Sequence, residues 1–201
     1  MKFLIATHNV KKRDELSRIL KPLGIDAVIA SDIGTEISDP EETGTTFAEN
    51  AKIKAESGCR ETGLPCIADD SGLCVDALEG RPGVYTARYA GGHDTPFSHK
   101  MAVLLDEMKD VPEEKRTARF VSAVCCIFPD GRELCVEGKC EGKIGYETRG
   151  EGGFGFDPVF FVGDRSFAEM TSDEKDAISH RGNALKLLAE RLPDFLDSGK
   201  E

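Results

Sequence analysis

The sequence predicts an α/β fold built on a mixed sheet. Short apolar runs alternate with stretches of helical periodicity over the first 70 residues, giving two successive β-α-β steps that favour parallel strands. From residue 117 the pattern changes to paired β-rich runs joined by a turn signal, which adds antiparallel strands. The 201 residues, 39% of them hydrophobic, are enough to bury one sizeable core, and no linker or internal repeat interrupts them, so residues 1–201 form a single domain.

The elements follow in order. "KFLIA" (2–6) reads as a strand. Leu16, Ile19, Leu20 and Leu23 then recur at the spacing of one helix face, closed by Pro22-Leu23-Gly24. "DAVIA" (26–30) is the next strand. Thr46 and Glu49 form a capping box ahead of Phe47, Ala51 and Ala55, a helix expected to end near Gly58. A strand ending at the aspartates of "PCIADD" follows. "EGRPGVY" (79–85) is a turn in which Pro82 opens a short helix. Asp94 or Thr95 caps a helix striped by Phe97, Met101, Leu104, Leu105 and Met108. "TARFVSAVCCIF" and "RELCVEGKC", joined by "PDG", form a hairpin, and "PVFFV" (158–162) adds a strand. Thr171 and Glu174 make a second capping box. The last helix carries Leu185, Leu188 and Leu192 and is expected to stop at Pro193.

The net charge of −11 argues against nonspecific binding to nucleic acid or to an anionic membrane surface. "MKFLIATHNV" has too short an apolar run for a signal-peptide core, and no stretch approaches the roughly 20 apolar residues of a membrane span, so a cytoplasmic protein is expected. Seven cysteines, an odd number with no C-x-x-C pair, are expected as reduced core thiols, with a zinc site as the alternative.

Four constellations could carry chemistry. In "THNVKK" (7–12), a strand-to-helix turn offers backbone N–H groups, Thr7, Asn9, Lys11 and Lys12 to an anion; equally, Asn9 could cap the helix and the lysines be solvated. Asp69-Asp70-Ser71-Gly72, with Glu41-Glu42 upstream, places neighbouring carboxylates that repel unless a cation lies between them, and Mg²⁺ suits such oxygens; a simple turn at a strand end would look the same. Successive strand residues point to opposite faces, so one aspartate should face the site directly. "GGFGFDP" offers Phe154 and Phe156 either as a stacking surface or as core. "EKDAISHRGNAL" gathers Lys175, His180 and Arg181 at a helix start, where they could bind phosphate or carbonyl oxygens or lie on a solvated end.

Taken together, "ATHNVKKRDE", "TFAENAKIKA", "IADDSGLCVDALEGRPGVYTARYAG", "GGFGFDPVFF" and "SHRGNALK" resemble, in that order, the inosine triphosphate pyrophosphatase family over nearly the whole chain, from about Phe3 to Leu192. The resemblance implies an elongated mixed α/β structure with two lobes around a nucleotide cleft, and a homodimer. It implies Mg²⁺-dependent hydrolysis of ITP, dITP and XTP to the monophosphate and pyrophosphate, clearing deaminated purines from the nucleotide pool. It makes Asp70 the proton acceptor and a metal ligand, with Glu42, or alternatively Glu41, as the other metal carboxylate and Asp69 in support. Substrate contacts fall to Thr7, His8, Asn9, Val10, Lys11, Lys12, Ser71, Phe154, Gly155, Phe156, Asp157, Lys175, His180 and Arg181. His8 departs from the pattern, since many relatives carry a small residue there. The rivals are a pyrophosphatase for modified pyrimidine nucleotides, a nucleotide-binding regulator without turnover, and a zinc hydrolase using the cysteines.

Overall fold

The computed structural model describes residues 1–197. Seven strands form one sheet in the order β2-β1-β3-β4-β5-β6-β7. They are β1 (Lys2–Ile5), β2 (Asp26–Val28), β3 (Cys66–Val75), β4 (Thr117–Ile127), β5 (Glu133–Ile144), β6 (Phe160–Val162) and β7 (Arg165–Ser166). β1 pairs in parallel with both β2 and β3, while β6 pairs antiparallel with β5 and β7, so the sheet is mixed as expected. The helices are α1 (Val10–Leu20), α2 (Phe47–Thr62), α3 (Phe97–Glu107), α4 (Ser172–Ile178) and α5 (His180–Asp197). The chain divides into two compact units, one of residues 1–70, 122–138 and 180 onward, the other of 71–121 and 139–179. Three of the divisions fall inside β3, β4 and β5, and the fourth falls between α4 and α5.

In the first unit the strands alternate strictly. Phe3, Ile5, Ile67, Val124 and Cys126 pack with Leu16, Ile19 and Leu20 of α1 and Leu185, Leu188 and Leu192 of α5. Leu4, Ala6, Cys66, Ala68, Ala123, Cys125 and Ile127 pack with Ala51, Ala55 and Cys59 of α2. Each strand thus lends odd residues to one helical layer and even residues to the other, as a period-2 strand covered on both faces must. In the second unit Leu73, Val75, Leu104, Met108, Phe120, Phe156, Phe160 and Phe167 make a separate core. There Arg116, 1% exposed, ties four carbonyls together: Ile144 at 2.8 Å, Met108 at 2.6 Å, Val111 at 3.1 Å and Gly145 at 2.7 Å.

Several boundaries differ from expectation. α2 runs past Gly58 to Thr62 and ends at Gly63, whose φ of 69° makes the C-cap. Gly58 serves packing instead: a Cβ there would lie 2.7 Å from Cys66 Sγ and 3.1 Å from Ala6 Cβ, so the glycine lets α2 approach the sheet. β3 does not end at the aspartates. It continues to Val75, so Asp69 and Asp70 lie mid-strand. α5 passes through Pro193 to Asp197. The last turn is held by Phe195, which packs against Phe128 and whose carbonyl accepts from Arg132 at 3.1 Å. α3 has Pro96, not Asp94 or Thr95, at its N-cap position.

The cysteines also differ. Cys125 and Cys135 form a disulfide, whereas reduced thiols were expected. The two residues lie symmetrically about the Phe128–Arg132 turn that joins β4 to β5, which makes them cross-strand neighbours. The other five cysteines carry thiols, and burial pushes those of Cys66, Cys126 (to about 12) and Cys140 (to about 11) away from the reactive thiolate.

Candidate active site

The strand alternation decides what each aspartate does. Asp69 continues the face of Ile67, toward α1 and α5; Asp70 continues the face of Ala68, toward α2. Asp69 is 2% exposed and meets Arg181 at the start of α5, accepting from Nη2 at 2.8 Å and from Nε at 3.1 Å. Lys12 Nζ of α1 lies 3.3 Å from the same oxygen. Arg181 also donates to Glu15, itself buried on α1. Burial opposes ionisation of Asp69, but the charges of Arg181, Lys12 and Lys54 outweigh it and hold the carboxyl well below its usual range. Lys12 is pulled down by burial, only partly countered by Asp69.

Asp70 sits in a different environment. Asn50 Nδ2 donates to its Oδ2 at 3.2 Å, and Lys54 Nζ donates to its Oδ1 at 3.5 Å. The same ammonium donates to Glu42 Oε1 at 2.7 Å. Burial pushes the Asp70 carboxyl up; Lys54 and Lys12 pull back, Glu42 and Asp69 push further, and the net direction is upward. Burial alone would lower the Lys54 ammonium, but Asp70, Asp69 and Glu42 together raise it. The two adjacent carboxylates thus shift in opposite directions, Asp69 held ionised and Asp70 raised in proton affinity.

Glu42, not the exposed Glu41, is the upstream carboxylate that reaches this group. Among these seven groups, four carboxylates (Glu15, Glu42, Asp69, Asp70) face three cations (Lys12, Lys54, Arg181). Asp69 Oδ1 is buried and accepts no hydrogen bond from any described residue. Hard carboxylate oxygens in surplus, converging on one ammonium, fit a divalent cation such as Mg²⁺. No set of three or more His, Cys, Asp or Glu side chains among the described residues could hold a metal unaided.

The turn before α1 is organised by its own side chains. Asn9 caps the helix, accepting from the Lys12 N–H at 3.1 Å, and Thr7 Oγ1 accepts from the Asn9 N–H at 3.2 Å. His8, Val10 and Lys11 are exposed, and His8 Nε2 lies 3.2 Å from the Ser38 carbonyl.

The second unit holds Ser71, Phe154, Gly155, Phe156, Asp157 and Lys175. Lys175 is buried and donates to Asp157 Oδ2 at 2.7 Å, with its ammonium 4.8 Å from the Phe154 ring centre. Asp157 Oδ2 also accepts from the Phe154 N–H at 2.7 Å, and Gly153, with φ of 67°, leaves the space that a Cβ would take from this carboxylate. Phe154 and Gly155 are half-buried, as is Ser71. Phe156 is 1% exposed and packs edge-on against Tyr89 and Phe97, so it is a core ring and not a stacking surface. Arg181 is 1% exposed, and its guanidinium donates to Asp69 and Glu15. His180 is buried at the first position of α5. Sequence reasoning missed Asn50, Lys54 and Glu15. The signal for the first two was their i, i+4 spacing on α2 beside the buried Ala51 and Ala55.

Comparison with known proteins places the chain. The model of the Ham1 family matches residues 3–191. The dITP/XTP pyrophosphatase of Mycobacteroides abscessus is 45% identical, with 100% of this chain and 98% of that protein covered. The dITP/XTP pyrophosphatase of Nocardia farcinica is 48% identical over 96% of each chain. A solved HAM1 protein from Coxiella burnetii superposes with a TM-score of 0.85 at 37% identity, over 96% of this chain and 99% of that one.

Proposed function

We propose a function from the premise that this chain belongs to the Ham1 family: it hydrolyses non-standard purine nucleoside triphosphates, ITP, dITP and XTP, to the monophosphate and pyrophosphate. The observation that carries the chemistry is the split of Asp69 and Asp70 onto opposite faces of β3. Asp70 takes a proton from the attacking water, whose oxygen bonds to the α-phosphorus. The α–β bridging bond breaks, and pyrophosphate leaves with the electron pair. Asp69, locked by Arg181 and Lys12, keeps that end of α1 and α5 fixed against the strand. Lys12 and Lys54 offset phosphate charge. Asp70 and Glu42 would hold Mg²⁺, which when bound screens the phosphate oxygens and acts as a Lewis acid.

The turn Thr7–Lys12 contributes a helix N-terminus to the anionic end of the substrate. In the second unit the half-buried Phe154 ring offers a face to a purine, and Lys175 offers a donor for a 6-oxo group. Hypoxanthine and xanthine present an acceptor at position 6 where adenine presents an amino group, and a site built on such a bond can discriminate by about 10⁴-fold. Removal of deaminated purines in the cytoplasm, by a homodimer, is the role that fits this activity.

The test is Asp70→Asn. It keeps the shape and the Asn50 contact but cannot accept the proton. Turnover of dITP should fall by roughly 10³-fold or more while nucleotide binding persists. Retention of most activity would remove Asp70 from the role of base.

A further inference from the structure

The side chains of α2 that meet Asp70 and Glu42 belong to a longer polar row. Asn50, Lys54, Ser57 and Glu61 recur at i, i+4, i+7 and i+11 along α2, a single polar stripe. Each member grips the irregular segment 38–44 that carries Glu42. Asn50 Oδ1 accepts from the Gly44 N–H at 2.8 Å. Lys54 donates to Glu42 at 2.7 Å. Ser57 Oγ lies 3.1 Å from Ser38 Oγ. Glu61 accepts from the Ser38 N–H at 2.8 Å, from the Ser38 hydroxyl, and from Ser57 Oγ at 2.8 Å. The pairs run in opposite order along the two segments, so 38–44 lies antiparallel to the helix. The lengths agree: eleven helical residues span about 16 Å, and six extended steps span about 20 Å. Ile37, packed on the apolar cluster of α2, anchors the segment's start.

We infer that this stripe is a rail that docks segment 38–44, and that Glu61, at the end of α2 away from Asp70, is a positioning residue that sets where Glu42 stands relative to Asp70. The inference rests on the proposed role of Glu42. Asn50 is the near clamp, joining the Gly44 N–H to Asp70 through one amide. Glu61 is the far clamp, and His8 adds a tie from the α1 turn through the Ser38 carbonyl. Without the far clamp the segment keeps Asn50, Lys54, Ser57, His8 and the apolar anchor, and Glu42 loses its fixed approach.

The experiment compares Glu61→Ala, Glu61→Gln and Ser38→Ala with the parent protein by amide hydrogen exchange over residues 36–46, Mn²⁺ calorimetry without nucleotide, and steady-state kinetics. Glu61→Ala should speed exchange in this segment by about tenfold, since local opening follows the loss of its restraining bonds. It should weaken Mn²⁺ binding several-fold and lower kcat with KM little changed. Glu61→Gln, which can still accept the Ser38 N–H, should stay close to the parent, and Ser38→Ala, which loses only the hydroxyl contacts, should fall between. In a Glu42→Gln background, Glu61→Ala should have no further effect on Mn²⁺ binding, because it acts through Glu42. Unchanged exchange in Glu61→Ala and Ser38→Ala would overturn the rail. Equal losses of Mn²⁺ affinity in both backgrounds would overturn the positioning role. If the parent protein takes up no Mn²⁺, the assignment of Glu42 to a metal fails, and the exchange result still decides the rail by itself.

Discussion

Replacing Asp69 by Asn removes one charge from a largely buried network and almost nothing from its volume. Arg181 then keeps only Glu15 of its two carboxylates, and Lys12 loses its nearest one. Breaking a buried ion pair by neutralising one partner costs about 3–5 kcal/mol, because the other charge stays buried. Unfolding entropy near 60 °C is about 2.1 cal/mol/K per residue, so 201 residues give about 0.4 kcal/mol/K, and Tm should fall by about 7–12 °C. The pH dependence has a definite sign. The folded pKa of Asp69 is depressed, so its stabilisation is complete above the unfolded carboxyl value and is lost as pH falls through that value toward the folded one. In Asp69→Asn that acid-side loss should shrink. Asp70→Asn provides the contrast. The Asp70 pKa is raised, so its charge is a burden at neutral pH, and neutralising it should leave Tm nearly unchanged while abolishing turnover. Scanning calorimetry from pH 3 to 8 on both variants measures these effects. A Tm loss under about 2 °C for Asp69→Asn, or an equal loss for both, would refute the division of roles.

Other consequences can be measured directly. Phe154→Ala removes the half-buried ring of the second unit and should raise KM for dITP by roughly 10-fold, the worth of one stacked base, with a smaller change in kcat. Arg116→Lys can keep at most part of the four-carbonyl grip and should cost about 2–4 kcal/mol in denaturant titration, since hydrogen bonds to a charged donor are worth about 1.5–3 kcal/mol each. Alkylation of the denatured, unreduced protein should label five of the seven cysteines, sparing Cys125 and Cys135. Labelling of all seven would show that the pair is reduced.

The α/β class, the mixed sheet and both capping boxes were legible because they rest on local signals: period-2 and period-3.6 patterns, and side chains that reach their own helix N-terminus, as Thr46 and Thr171 do. The site was legible as a set of residue types. What local pattern could not supply was pairing across long sequence separations. Arg181 reads as a phosphate ligand until α5 is seen to deliver it to Asp69, 112 residues away. Lys54 went unnoticed in the sequence, since its partners Glu42 and Asp70 meet it only in the fold. The aspartates looked like a strand end because charge is costly mid-strand, yet the strand runs on because Asp69 is paired with Arg181 and Lys12 and Asp70 accepts from Asn50 and Lys54. Pro193 reads as a stop because its own missing N–H is a local fact, whereas the packing of Phe195 that holds the next turn is tertiary.

The decisive measurement is a product analysis with Mg²⁺ and a panel of ITP, dITP, XTP, dATP, dGTP and dUTP. Release of pyrophosphate and the monophosphate from ITP, dITP and XTP is expected, at rates well above those for dATP, dGTP and dUTP. Comparable rates on dATP and dITP, or release of orthophosphate alone, would contradict both the selectivity and the position of cleavage.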